Sequence, residues 1–219
     1  MTASIAGVAS CPQPPLLLPG RTGRPVAEVE QLRAACQAAV AGLLAAEPTV
    51  VALIGGIAAD ELDRPAGPVS LRVGRQLLAE AGCAIPVRPA PIRVDTPAEQ
   101  CLATGRRLAA EAAESGARLG LLVLADGSAR RGLKAPGYLD PRAAPFDQAI
   151  ERALVTGDPA GLTALDANLA AELLVAGRAA WQVLAGAVEG RRFQARTHYL
   201  GDPFGVWYPV VHWAERPRS

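Results

Sequence analysis

The chain has 219 residues, with 22 Lys and Arg against 21 Asp and Glu, which gives a formal net charge of +1. This length suits one domain around a single core. The balanced charge excludes a generally basic surface for nucleic acid or for an anionic membrane. We therefore expect a small-molecule or protein partner, with a homo-oligomer as one option, and neither a nucleic-acid nor a membrane partner.

The cysteines and the N-terminus indicate the compartment. Cys11, Cys36, Cys83 and Cys101 form no CxxC pair and lack the density of a disulfide scaffold. The N-terminal apolar run is too short for a signal peptide or a membrane span. A cytoplasmic protein with reduced thiols is expected.

Short apolar runs alternate with amphipathic segments in the first part of the chain. Runs at 5–9, 50–54 and 119–125 are bounded by Pro, Gly or Asp, which is typical of buried parallel strands. Apolar residues at three- and four-residue spacing predict helices over 26–46 and 70–81.

Four further helices are predicted from their start signals and periodicity. Thr96 and Glu99 form a capping-box pattern for a helix reaching about residue 115, and the segment 146–157 predicts another. Asp158-Pro159 predicts a short helix, and Asp166 starts a longer one that reads on to residue 184. Gly177 would lie inside that last helix at a cost of about 1 kcal/mol, which predicts close packing there.

The C-terminal part changes to strand patterns. Residues 192–200 and 206–213 predict two strands joined by a Gly201-Asp202-Pro203 turn. Strands alternating with helices, followed by a hairpin, predict an α/β fold: one three-layer domain over residues 1–214 with a mixed central sheet flanked by helices. Residues 215–219 are expected to be a frayed tail.

The segment 125–147 is the leading candidate for a functional loop, because it follows an apolar strand and concentrates polar side chains. Its chemistry-bearing residues are Asp126, Ser128, Arg130, Arg131, Tyr138, Asp140 and Arg142. Asp126, Ser128 and the post-strand Cys11 are the catalytic candidates, although no histidine or GxSxG elbow accompanies Ser128. A buried, inert thiol is the alternative for Cys11.

The arginines of this loop have two interpretations. Arg130 and Arg131 could converge with Arg178 on an acidic ligand. Alternatively, Arg178 pairs with Asp140 or Asp147 and fixes the loop.

Other clusters give weaker signals. Gly55-Gly56 follows a strand and either admits an anion or forms a tight turn. The group Asp60, Glu61 and Asp63 offers carboxylates for a metal or for acid–base chemistry, or is a solvated loop. The two histidines, His198 and His212, lie in the predicted hairpin and are either packed strand residues or ligands.

The chain resembles the class III extradiol ring-cleavage dioxygenase B-subunit superfamily, which includes the Memo-like proteins. The resemblance spans almost the whole chain and is carried by CPQPPLLLP at 11–19, DGSAR at 126–130, PGYLDPR at 136–142, PFD at 145–147, GD at 157–158, LD at 165–166, GR at 177–178, LAGA at 184–187 and PFGVWY at 203–208. It implies the fold of that superfamily and a non-haem iron, held by two histidines and a carboxylate, that opens a catechol ring.

The sequence departs from the family at each expected metal ligand. Gln13 stands where relatives have a PHPP histidine, Gly55-Gly56 replace a histidine after the second strand, Ala129 replaces that of GDxSHR, and Val175 falls near the glutamate position. One glutamine oxygen cannot replace three strong ligands of Fe(II).

The departures imply a protein without a metal or other cofactor. It would have lost ring cleavage and kept a cleft for a small molecule or a protein partner. The cleft residues implied are Cys11, Gln13, Gly55, Gly56, Asp126, Ser128, Arg130, Tyr138 and Arg178. The alternative is a divergent oxidoreductase, a ring-opening dioxygenase that holds Fe(II) or another divalent metal through Cys11, Asp126 and His198.

Overall fold

A mixed sheet lies at the centre of the computed structural model, which describes residues 4–21, 23–61 and 65–215. Within these residues the sheet has six strands in the order β3-β2-β4-β1-β6-β5. They are β1 (Ser4–Cys11), β2 (Val50–Ile57), β3 (Val87–Arg93), β4 (Arg118–Leu124), β5 (Phe193–Gly201) and β6 (Tyr208–Glu215). The first four run parallel, whereas β6 is antiparallel to both β1 and β5. The predicted mixed sheet is confirmed.

Helices cover both faces of this sheet. They are α1 (Ala27–Ala45), α2 (Val69–Glu80), α3 (Ala98–Glu114), α4 (Ala143–Thr156), α5 (Ala160–Thr163), α6 (Ala167–Glu172) and α7 (Arg178–Ala187). One core packs α1 and α2 on the sheet around Leu43 and Leu77, and a second packs α3 to α7 around Trp181 and Trp213. Every residue of β2 is buried, as expected for a strand covered on both sides. The three-layer α/β domain is confirmed.

Two details of the predicted helices are wrong. The capping box at Thr96 does not form: Pro97 occupies the N-cap of α3, and no side chain caps that helix. The helix predicted from Asp166 to residue 184 is two helices, because α6 ends at Glu172 and Leu174 takes a left-handed conformation with φ of 56°. The cap itself is right, since Asp166 Oδ1 accepts from the Leu169 amide at 2.8 Å.

Gly177 lies at the N-cap of α7 rather than inside a helix. A Cβ built there would lie 2.6 Å from Ala125 Cβ and 2.7 Å from the Asp126 carbonyl oxygen. Close packing at this glycine is therefore confirmed, although the continuous helix is not.

The C-terminal boundary also moves. Glu215, predicted to belong to a frayed tail, is the last residue of β6 and pairs with Phe193. Residues 216–219 of that predicted tail lie outside the described part of the chain. Among the residues described, none of the helices combines the length and the apolarity that crossing a bilayer requires.

Candidate functional site

The carboxyl ends of the parallel strands bring distant parts of the chain together at one edge of the sheet. Gln13 lies two residues beyond β1, and Asp126 lies two residues beyond β4. Because these strands are parallel neighbours, both residues emerge at the same edge. The backbone amide of Gln13 donates to Asp126 Oδ1 at 2.7 Å. Two residues predicted for the cleft are thus in contact.

Asp126 is the most perturbed acid at this edge. Burial raises the pKa of its carboxyl to about 7, against the opposing effect of the hydrogen bond from Gln13. Burial, assisted by the negative charge of Asp126, also raises the pKa of Tyr208, which lies at the start of β6. A carboxyl that titrates near neutral pH can both accept and donate a proton, which is what general acid–base chemistry needs.

The side chain of Gln13 adds an unsatisfied acceptor. Its Oε1 is buried and receives no hydrogen bond from the protein. A buried amide oxygen without a donor costs free energy, so this atom is a natural partner for a ligand hydroxyl or amine.

Ser128, predicted as a catalytic candidate, fixes the loop. Its side chain is fully buried, its hydroxyl donates to Asp147 Oδ2 at 2.5 Å, and its amide donates to Asp147 Oδ1 at 2.9 Å. Burial raises the pKa of Asp147 to about 6, while Ser128 and Arg131 oppose the shift. The hydroxyl is thus held by a carboxyl within the loop, and a catalytic role for Ser128 stays a prediction.

The arginines do not converge as predicted. Arg178 donates to the carbonyl oxygens of Val94 and Thr96, at 2.6 Å each, and thereby ties α7 to the loop before α3. It forms neither the ligand cluster nor the pair with Asp140 or Asp147. Its partners are these two backbone carbonyls and two uncharged side chains, Gln182 at 2.9 Å and Cys101, and no charge pattern signals any of them.

Arg130 and Arg131 donate hydrogen bonds to neighbouring groups of the protein. Arg130 Nη1 donates to the Gly137 carbonyl at 2.6 Å, while its Nε is buried without a partner. Arg131 Nε donates to Asp202 at 2.9 Å and lies 3.8 Å from Asp147. Tyr138, next to Gly137, is 63% exposed and has a φ of 62°. Ligand binding by Arg130 and Tyr138 stays a prediction.

Gly55 and Gly56 lie inside β2, opposite β3, and form no turn. A Cβ on Gly55 would lie 2.6 Å from Ser70 Oγ, and one on Gly56 would lie 2.6 Å from the Ala176 carbonyl oxygen. The glycines therefore let α2 and the α6–α7 connection approach the strand. Their role in ligand binding stays a prediction.

Cys11 ends β1 and is fully buried, with Sγ 4.0 Å from the Cys36 carbonyl oxygen. Burial, with a contribution from Cys11, also raises the pKa of the Cys36 thiol. Both thiols are thus held in the apolar layer under α1, as the packing alternative predicts.

The carboxylate group predicted after β2 is partly engaged. Glu61 accepts hydrogen bonds from the amides of Ala58 and Val69, each at 3.1 Å, and so closes the loop before α2. Asp60 lies in the same turn, and Asp63 lies outside the described residues.

The histidines lie under α1, away from Asp126. His212 is four residues beyond Tyr208 along β6, its ring packs against Gly42, and the His198 ring is 6.5 Å away between centroids. Burial is the main cause that lowers the pKa of both.

The residues present do not fit the iron that the family resemblance implies. Non-haem Fe(II) takes two imidazoles and a carboxylate, whereas this edge offers Gln13 Oε1 and Asp126. In the described ranges, no three His, Cys, Asp or Glu side chains are grouped so that they could hold an ion. The alternative set of Cys11, Asp126 and His198 is therefore not assembled.

Tyr208 was missed as a member of this region, and Asp147 was expected to pair with Arg178 rather than with Ser128. Tyr208 belongs to the PFGVWY run, but nothing in the sequence places it near Asp126. The partner of Asp147 is Ser128, 19 positions away, and only the fold joins them.

Comparisons with known proteins add little to this geometry. No protein-family model matches the chain, and no curated protein matches it. Among solved structures, it is similar to an uncharacterized protein, JW3007, from Escherichia coli K12. The sequence identity is 15%, the TM-score is 0.48, and the match covers 95% of this chain and 99% of that one.

Proposed function

We propose that this chain is a class III extradiol dioxygenase-like protein that has lost ring cleavage and binds a small molecule at the carboxyl edge of its sheet. The motif resemblance supports the family. The convergence of the end of β2 and the segments after β1 and β4 with the α6–α7 connection supports a common site. Gln13 contacts Asp126, Gly56 contacts Ala176, and Gly177 contacts Ala125.

The buried, unpaired Oε1 of Gln13 beside the Asp126 carboxyl carries the proposal. Two acceptors at one strand edge fit a ligand with two hydrogen-bond donors, such as a dihydroxylated aromatic ring. A ligand hydroxyl on Gln13 would satisfy the orphaned oxygen, and a second would bond to ionised Asp126. Because Asp126 titrates near neutral pH, it would also hold or release the proton of that hydroxyl.

Calorimetric titration with catechol tests the binding. Gln13→Leu should weaken binding about fivefold to tenfold, since it removes one acceptor and leaves the ligand hydroxyl unpaired. Gln194→Leu, on the exposed side of β5, is the matched control and should bind as the parent protein does. Equal affinity in Gln13→Leu and the parent would overturn the site.

Oxygen uptake tests the loss of ring cleavage. With catechols and added Fe(II), we expect no uptake above that of the metal alone. Uptake that Asp126→Ala abolishes would instead establish the metal-dependent dioxygenase and overturn the proposal.

A further inference from the structure

A second concave region lies away from the strand edge, between the β1–α1 loop and α2. It is open to solvent and has a volume of about 650 Å³, within the range of small-ligand sites. Its wall includes three arginines, Arg21, Arg72 and Arg75, but no acidic residue.

One face of the helix α2 forms a wall of this concave region. Residues 72, 75, 76 and 79 recur at three- and four-residue spacing, so they share the outer stripe of the helix, opposite the buried Leu77 and Leu78. Arg72 and Arg75 are therefore like charges on adjacent turns, an arrangement that disfavours the helix unless an anion lies between them.

No carboxylate of the described chain neutralises these guanidinium groups. The side chains of Arg21, Arg72 and Arg75 make no hydrogen bond or ion pair with any residue whose placement is described. Glu80, two turns after Arg72 on α2, accepts instead from Gln76 at 2.8 Å and from Gln37 at 3.1 Å, and lies 3.6 Å from Arg33 of α1. Glu80, the acidic residue of α2, thus interacts with Gln76 of its own helix and with Gln37 and Arg33 of α1.

The loop opposite α2 leaves room for a ligand. Gly20 and Arg21 are exposed, and Pro19 and Gly20 form a turn. Gly20 has a φ of 71°, and nothing lies within 4 Å of where its Cβ would be, so the space beside the loop is open. Arginine forks that line one concave region are a common arrangement for oxyanions.

We propose that this cavity, lined by Arg21, Arg72 and Arg75, binds the phosphate groups of a small phosphorylated molecule. One guanidinium fork already saturates a carboxylate, whereas three forks match a group of at least two negative charges with oxygens on several sides. The near-neutral net charge favours a local site of this kind over a nucleic-acid track. This site is independent of the one at Gln13 and Asp126.

Calorimetric titration with inorganic pyrophosphate at constant ionic strength tests the site. We expect saturable 1:1 binding, weakened about tenfold by Arg72→Gln and by Arg75→Gln, which corresponds to one charge-assisted hydrogen bond each. Arg107→Gln is the matched control, because Arg107 is exposed on α3 with no partner in the described chain. It should leave the affinity unchanged.

Arg21→Gln, on the opposite wall, should weaken binding by a similar factor, so that the result does not depend on variants of α2 alone. Thermal unfolding without ligand should show no loss of stability in any of the three variants, because the side chains removed make no hydrogen bond in the described chain and Arg72→Gln or Arg75→Gln also removes a like-charge repulsion. Absence of saturable binding, or equal weakening by Arg107→Gln, would overturn the proposal. A single-stranded oligonucleotide that outcompetes pyrophosphate would overturn the small-molecule assignment, and catechol binding should be unaffected by any of these variants.

Discussion

Asp147 makes the stability of this protein depend on pH in a direction that the structure fixes. Its carboxyl is 2% exposed, and burial raises its pKa from 3.8 to about 6. The folded protein therefore binds this proton more tightly than the unfolded chain does. The stability that Asp147 contributes is fully present below pH 3.8 and is lost as the pH rises through 6.

The size of the effect follows from the two pKa values. Between pH 4.5 and pH 8, a shift from 3.8 to about 6 removes about 2 kcal/mol of the free energy of unfolding. Asp147→Asn keeps the shape of the side chain and an oxygen for the Ser128 amide, but it does not titrate. The parent protein should thus lose about 2 kcal/mol relative to Asp147→Asn over this interval.

Urea denaturation of both proteins at pH 4.5 and pH 8 gives the comparison, because the other titrating groups cancel in the difference. Arg131, 3.8 Å from the carboxyl, and the two hydrogen bonds from Ser128 oppose the shift. If these interactions exceed the cost of burial, the difference will change sign, and the parent protein will gain stability relative to Asp147→Asn as the pH rises. That result, or a difference independent of pH, would refute the reasoning.

Three further substitutions test the packing by chemical denaturation. Gly105→Ala should destabilise the fold by about 2 kcal/mol, although alanine favours a helix. The added Cβ would lie 2.0 Å from the Val183 carbonyl oxygen and force α3 away from α7, so an unchanged stability would contradict this contact. Ser10→Ala should lower the free energy of unfolding by about 1–3 kcal/mol. The buried indole N–H of Trp181 donates to Ser10 Oγ at 3.0 Å and would lose its acceptor, so an unchanged denaturation midpoint would contradict this. Asp166→Ala should cost about 1 kcal/mol by removing the cap of α6, whereas Asp166→Ser should cost less.

Three of the predicted strands, β1, β2 and β4, have a uniform environment. The apolar runs of β1, β2 and β4 are continuous because helices cover both faces, so composition alone reveals them. In contrast, β3 was missed: it lies at the sheet edge, is largely exposed, and carries Pro89 and Pro91. Proline is tolerated there because an edge strand has one side without a partner.

The break between α6 and α7 shows a different limit. Leu169, Leu173 and Leu184 keep helical spacing across it, because both helices pack on the same core. The spacing of apolar residues shows which face of a helix is buried. It does not reveal a break between two helices when the same face is buried before and after the break. Leu174, at the left-handed position, is a residue type that gives no turn signal.

This break also explains why the candidate site was only partly foreseen. It places the Ala176 carbonyl against Gly56 and Gly177 against Ala125, so that the α6–α7 connection lies at the carboxyl edge beside Asp126. A continuous helix through Gly177 would be predicted from the same residues, yet it would not make this connection. The motifs identified the segments that meet, since each follows a strand or a cap. They did not identify the hydrogen bonds between Gln13 and Asp126 or between Ser128 and Asp147, which join residues 113 and 19 positions apart. The geometry of this edge therefore depends on the backbone at positions 173–177, where the Gly177 amide donates to the Asp126 carbonyl oxygen and the Leu173 carbonyl oxygen accepts from the Ala129 amide, as much as on the side chains that the motifs supply.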